Sequence, residues 1–179
     1  MEMERITVQP VVETDRFDLR PLRRSDMGLI ELYGGDLRVA RMTTSIPHPM
    51  PPGMVEAFVA RAMQDEREED VWAIDGTKSG AAEMMGLISL QRMDREQSEI
   101  GYWVAPPYWN TGLASDAVHA LIAANPLENK TIFASVFQDN PASAQVLTHC
   151  GFEYLGDAES FSVSRDTTVP TWTYLKNCD

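Results

Sequence analysis

Basic side chains are in short supply. The chain has 15 Lys and Arg against 27 Asp and Glu, a formal charge of −12. A nucleic-acid surface needs a basic face, so no nucleic acid is expected among the partners. The acid excess fits two readings. An acidic groove would draw in a cationic substrate, such as an amine or a basic peptide. Net negative charge also simply aids solubility. Cysteine is scarce as well. Cys150 and Cys178 show no metal-ligand spacing and would not staple a chain of this size, so no metal and reduced thiols in a cytoplasm are expected. Long apolar runs are missing, and without one of about 18 residues no membrane-spanning helix is expected. The first residues, Met-Glu-Met-Glu-Arg, are charged and lack the apolar stretch of a secretory signal. Internal repeats and low-complexity segments are absent too.

What is present suits one globular domain over residues 1–179. The chain is 44% apolar, enough for a sheet with helices on it.

The stretch from Glu99 to Ile122 is the most informative. Ile100 to Val104 is rich in β-formers and reads as a strand. Pro106 and Pro107 stop it. Asn110, Thr111 and Gly112 make an open turn. Ala117, Val118, Leu121 and Ile122 then recur at helical spacing. A helix start after a glycine turn offers unpaired N–H groups and the positive end of a dipole, which suits a phosphate. A nucleotide P-loop would need Lys and Ser/Thr after the glycine, but Leu113 and Ala114 stand there. A dinucleotide fingerprint wants three glycines, and only one is present. The bland alternative is an ordinary strand-to-helix connection.

Before that stretch, Phe17 to Leu22 alternates as a first strand, while residues 1–16 read as polar and irregular. Ser25 is placed to cap a helix that ends at Gly34-Gly35, and Asp36 to cap a short second one. Pro47, Pro49, Pro51 and Pro52 forbid regular structure, so Thr43 to Gly53 reads as a surface loop. Met54 to Met63 traces an amphipathic helix. The charges from Asp65 to Asp70 read as a solvated face. Val71 to Ile74 and Met84 to Leu90 read as strands, with polar Gln91 to Ser98 turning the chain into the Glu99 strand. Thr131 to Phe137 is apolar on both faces and reads as a central strand. It follows a helix, so it lies parallel to the Glu99 strand in a right-handed crossover. Phe161 to Arg165 and Thr168 to Leu175 read as a closing hairpin, with Pro170 at an edge or bulge. The fold class is therefore a mixed α/β sheet: an antiparallel meander joined to a parallel crossover pair, with helices on both faces.

A second motif is a complete helix sentence. Asn140 caps, Pro141 takes the first helical position and Gly151 ends it. Together, Tyr108-Trp109-Asn110-Thr111-Gly112-Leu113-Ala114 and Asn140-x-x-Ser143-x-x-Val146-Leu147-x-x-x-Gly151-Phe152 resemble the two signatures of the GNAT N-acetyltransferases, in order and spacing. Trp109 stands where Gln or Arg is commonest. That departure, and the Ile46-Pro47-His48-Pro49 loop, are similar to the RimJ/RimL-like branch. The likeness runs from about Thr14 to Leu175.

The resemblance implies acetyl transfer from acetyl-CoA to a protein N-terminus or a small-molecule amine, and it allows a homodimer. It implies that the sheet splays between its parallel strands. Trp103 and Val104 would bond the pantetheine arm by main-chain groups, with the Val104 N–H as oxyanion donor. Trp109, Asn110, Thr111, Gly112, Leu113, Ala114 and Ser115 would hold the pyrophosphate. Asn140 and Ser143 would meet the arm near sulfur, and His48 would touch the acceptor. By the two-residue strand period, Glu99 shares a face with Gly101 and Trp103. It is the candidate base; otherwise it is a polar residue opening a strand. Many relatives use a Tyr acid where Leu147 stands here, which removes that mechanism. Ser143 is the candidate substitute, with helix-start hydrogen bonding as its other reading. Tyr102 and Tyr108 are explained equally well by core packing, and Cys150 by packing rather than acyl carriage. The competing function is a non-catalytic acyl-CoA-binding module.

Overall fold

The computed structural model describes residues 6–178; the Met1 to Arg5 segment, read for a missing signal, lies outside them. The elements are β1 (Val12–Glu13), β2 (Asp18–Pro21), α1 (Met27–Gly34), α2 (Leu37–Ala40), α3 (Met54–Ala62), β3 (Glu69–Asp75), β4 (Gly86–Met93) and β5 (Gln97–Val104). Then come α4 (Leu113–Ala124), β6 (Thr131–Phe137), α5 (Pro141–His149), β7 (Glu153–Ser162) and β8 (Thr167–Asn177). The strands form an eight-stranded sheet in the order β1-β2-β3-β4-β5-β6-β8-β7. Within it β5 and β6 are parallel, and the other described pairs are antiparallel.

Each face carries its own core. Ile100, Val104, Ile132 and Ala134 point to the face covered by α4 and α5, where Leu113, Val118, Leu121 and Leu147 meet them. Val71, Ala73 and Leu87 point to the other face, under Ile30 of α1 and Val55 and Val59 of α3. Buried ion clusters brace both faces of the sheet: Arg20 and Asp75 share the α1–α3 face with Ala73, whereas Asp70 and Arg92 share the opposite face with Trp72 and Leu90. Arg20 on β2 grips Asp26, just before α1, at 2.7 Å and Asp75 on β3 at 2.7 Å. Asp70 is fully buried between Arg67 at 2.7 Å and Arg92 at 2.8 Å. The expected solvated face from Asp65 to Asp70 is thus wrong at its end. A charge run says nothing about partners far away in sequence, and Arg92 comes from β4.

Local order differs elsewhere for similar reasons. Val12–Glu13 adds a short edge strand to β2. A 3-10 turn at Arg24–Asp26 precedes α1, so Asp26 occupies the cap position expected for Ser25. β4 and β5 extend into the polar segment, leaving a tight turn in which Arg95 and Glu96 have φ of 62° and 58°. β7 begins at Glu153, well before Phe161; as an exposed edge strand it needs no apolar face. Pro170 sits not at an edge but in β8, between β6 and β7. Its carbonyl accepts from Gln138 N–H at 3.0 Å, but proline has no N–H to return to Gln138, and the β6–β8 ladder ends there.

Candidate active site

The parallel pair is short. β4 and β5 pair along eight residues, whereas β5 and β6 pair only from Gln97 to Ile100 and from Thr131 to Ala134. Beyond these, β5 stays with β4, β6 stays with β8, and the sheet divides. The cleft so formed has a volume of about 2180 Å³. α4 and α5 follow β5 and β6, so both helices start beside it, as ligand sites do at the carboxyl ends of parallel strands.

Antiparallel alternation decides which main-chain groups face the cleft. Ala105 N–H donates to Met85 O at 2.8 Å. Odd-numbered residues of β5 therefore turn their backbone groups to β4, and even-numbered ones turn away from it. The Val104 N–H points into the split. The Val104 carbonyl is already taken by the indole N–H of Trp109 at 2.6 Å. Trp103 corrects the expectation: its carbonyl oxygen lies against Gly86 of β4, where any side chain would collide, so its main chain is not offered to a pantetheine arm. Its side chain packs on the core under α1 and α3.

The glycine turn is built from backbone that most residues avoid. Asn110 has φ of 61° and Gly112 of 77°. The first intrahelical bond of α4 runs from Asp116 N–H to Gly112 O at 3.0 Å. The N–H groups of Leu113, Ala114 and Ser115 are thus left for a ligand. Trp109, Asn110 and Gly112 also line the cleft. Thr111 does not: its hydroxyl turns back to Tyr108 O at 2.6 Å and closes the turn. Arg38 of α2 sits 5.4 Å over the Trp109 ring, bringing one guanidinium to the loop.

On α5, the Asn140 side chain accepts from Ser143 N–H at 3.4 Å. The Ser143 hydroxyl lies 2.7 Å from the Tyr102 hydroxyl, whose oxygen also lies 3.2 Å from Ser143 O. Burial pushes the Tyr102 phenol far up, against the pull of the Ser143 bond, so it stays protonated. Sequence reasoning left Tyr102 between a place near the reaction and core packing, and did not pair it with Ser143. Its even position on β5 was the available signal, because that face meets the helix carrying Ser143. Leu147 is fully buried beneath.

Glu99 opens on the opposite face, at the cleft floor. Its residue surface is exposed, yet the cleft walls displace enough water to push its carboxyl above the usual range. Glu69 lines the same floor, and desolvation raises its carboxyl too, against the Ser89 hydroxyl at 3.4 Å. His48 is exposed and is not part of the cleft wall; Ile46 and Met50 on either side of it are. The proline-rich loop turns the imidazole outward. Across the split, the Thr171 hydroxyl is fully buried and has no partner among the described residues. Thr171→Val keeps the shape and removes that orphan. It is expected to add about 1 kcal/mol of stability, read as a raised urea midpoint at unchanged slope.

A sheet split between parallel strands, with a glycine-turn helix start at its mouth, is suited to a phosphate-bearing cosubstrate. Residues 16–153 match the family model described as an acetyltransferase (GNAT) domain, so the chain belongs to the GNAT acetyltransferase family. It is an acetyl-CoA-dependent acetyltransferase. The uncharacterized N-acetyltransferase YoaA of Bacillus subtilis (strain 168) is 27% identical over 174 residues, covering 92% of this chain and 95% of YoaA. Spermidine N-acetyltransferase from Vibrio cholerae, solved with CoA and spermine, is similar at 18% identity and a TM-score of 0.74, covering 90% of this chain and 96% of that one. The ribosomal-protein-S5-alanine acetyltransferase from Vibrio fischeri is similar at 19% identity and a TM-score of 0.75, covering 96% and 98%. No described helix is long and apolar enough to cross a membrane.

Proposed function

We propose that the chain is a single catalytic domain of the RimJ/RimL-like branch. It moves an acetyl group from acetyl-CoA to a primary amine by direct attack, with both substrates bound. The carrying observation is the pairing of free donors at the split: the Val104 N–H on β5 and the unpaired N–H groups of Leu113 to Ser115 on α4. They suit an acyl oxygen and a pyrophosphate, and acetyl-CoA supplies the activated acyl group. The solved spermidine N-acetyltransferase carries CoA and spermine, which supports a CoA cosubstrate and an amine acceptor. Cytoplasmic location and a homodimer accord with this reading.

Glu99 takes a proton from the incoming ammonium, directly or through water, and its raised carboxyl makes it a better base. The Val104 N–H stabilises negative charge growing on the acyl oxygen. Ser143, held by Tyr102, donates a hydrogen bond to the departing sulfur. The sulfur then collects the second proton that the acylated nitrogen loses. Asn140 holds the start of α5.

Calorimetric titration with acetyl-CoA, beside ATP and NAD, followed by thiol-release assays over amines and N-terminal peptides, tests this reading. Micromolar binding of acetyl-CoA alone and thiol release that needs an amine are expected. Binding without turnover on any amine would favour a non-catalytic acyl-CoA module. No binding by folded protein would overturn the site.

A further inference from the structure

Glu69, Gln91 and Glu99 stand directly across from one another on β3, β4 and β5. Facing residues of antiparallel strands share a side, so both glutamates open on the α3 face of the cleft. Two strand spacings put their backbones about 10 Å apart. The Glu69 carboxylate leans to Ser89, whose hydroxyl lies beside Gly101, at the start of the split.

These two carboxylates differ from the buried acids of the fold. Asp26, Asp70 and Asp75 are each gripped by arginine. Neither Glu69 nor Glu99 is ion-paired with a described residue. The Arg61 field reaches Glu69 and partly offsets its desolvation, while Asp70 adds to it. Glu69 is half-buried and Glu99 exposed on the cleft floor, and two carboxylates without an ion pair there attract cations from outside. A separate observation also points to a polar ligand. Thr171, on the other half of the split sheet, lines the same cleft with a fully buried, unpartnered hydroxyl.

We propose that the acceptor is an aliphatic amine bearing a second positive charge, and that Glu69 is the residue that selects it. Glu99 meets the amine that reacts. Glu69 holds the second ammonium, which keeps its proton throughout. The inference rests on the acetyl-transfer reading and adds the substrate class to it. A monoamine fills only the Glu99 end and leaves Glu69 without a counter-charge.

The test is steady-state thiol release at saturating acetyl-CoA with amines matched in length: butylamine against 1,4-diaminobutane, and hexylamine against 1,6-diaminohexane. The wild-type protein is expected to prefer at least one diamine by tenfold or more in kcat/KM, carried mainly by KM. Glu69→Gln is expected to bring that ratio close to one, with intact folding shown by an unchanged acetyl-CoA titration. Equal use of monoamines and diamines by the wild type, or a preference that survives Glu69→Gln, overturns the inference while acetyl transfer stands. Acetyl-CoA binding with no transfer to any amine removes the transfer reading and this inference with it. The wild-type comparison needs no variant, so the outcome does not depend on Glu69→Gln folding.

Discussion

Arg20→Met is expected to cost about 3–5 kcal/mol of folding stability, seen as a lowered urea midpoint at pH 7. The guanidinium bonds Asp26 through two nitrogens, at 2.7 and 2.9 Å, and Asp75 through a third at 2.7 Å. Asp26 is fully buried and Asp75 nearly so. Met fills much of the same volume but leaves the buried Asp26 carboxylate without a cation and Asp75 with only Arg23, at 4.0 Å. Against a typical domain stability of about 5–15 kcal/mol, that loss is large. It also loosens α1, because the cluster ties the turn before that helix to β2 and β3. The pH dependence follows from Asp75. Burial would raise its carboxyl, but bonds from the Thr77 N–H and hydroxyl and from Arg20 outweigh it, so the pKa is lowered in the fold. A lowered carboxylate stabilises fully above its unfolded value, near pH 4, and that contribution is lost as pH falls through the folded value. The wild-type urea midpoint should therefore drop below about pH 4. Arg20→Met should show a shallower fall there, since part of that stabilisation is already gone. An Arg20→Met variant as stable as wild type at pH 7 would refute the structural role of the cluster.

Glu99→Gln is expected to lower kcat/KM by about 10²–10⁴ while acetyl-CoA affinity stays unchanged. Gln has the same shape and can hydrogen-bond, but it cannot accept a proton. The stability sign is opposite to that of Asp75. Desolvation holds the Glu99 carboxyl above its unfolded value, so its contribution favours the fold below that range and is lost as pH rises through the folded value. The variant is therefore expected to be at least as stable as wild type at pH 7. An inactive protein that is no less stable separates a chemical role from a structural one. The wild-type pH–rate profile should carry an acidic limb that Glu99→Gln lacks. A limb retained in the variant would assign the base elsewhere.

What could be read without coordinates was local chemistry. β6 runs from Thr131 to Phe137 as expected from its β-forming run, though only Ile132, Ala134 and Val136 form a buried face, and Thr131, Phe133 and Ser135 are half-buried or exposed. α5 begins at Pro141 behind Asn140, because a cap and a first-turn proline act through neighbouring backbone alone. The glycine turn before α4, the parallel crossover and the mixed sheet follow from the same kind of signal.

Contacts between distant residues were hidden. Arg67 and Asp70 read as a solvated face and Arg92 as part of a polar turn, and only the pairing of β3 with β4 makes them a buried cluster. Tyr102 and Ser143 lie 41 positions apart and meet because α5 packs on the even-numbered face of β5. Glu69 reaches the cleft floor through two strand pairings that no spacing in the chain reveals. The sequence alone determined the central strand β6, the capped helix α5 and the open start of α4, because propensity and capping act within a few residues. The tertiary structure decided which side chains share the cleft, which charges are neutralised and which backbone groups stay free, because pairing register and the split of the sheet arise from the whole chain.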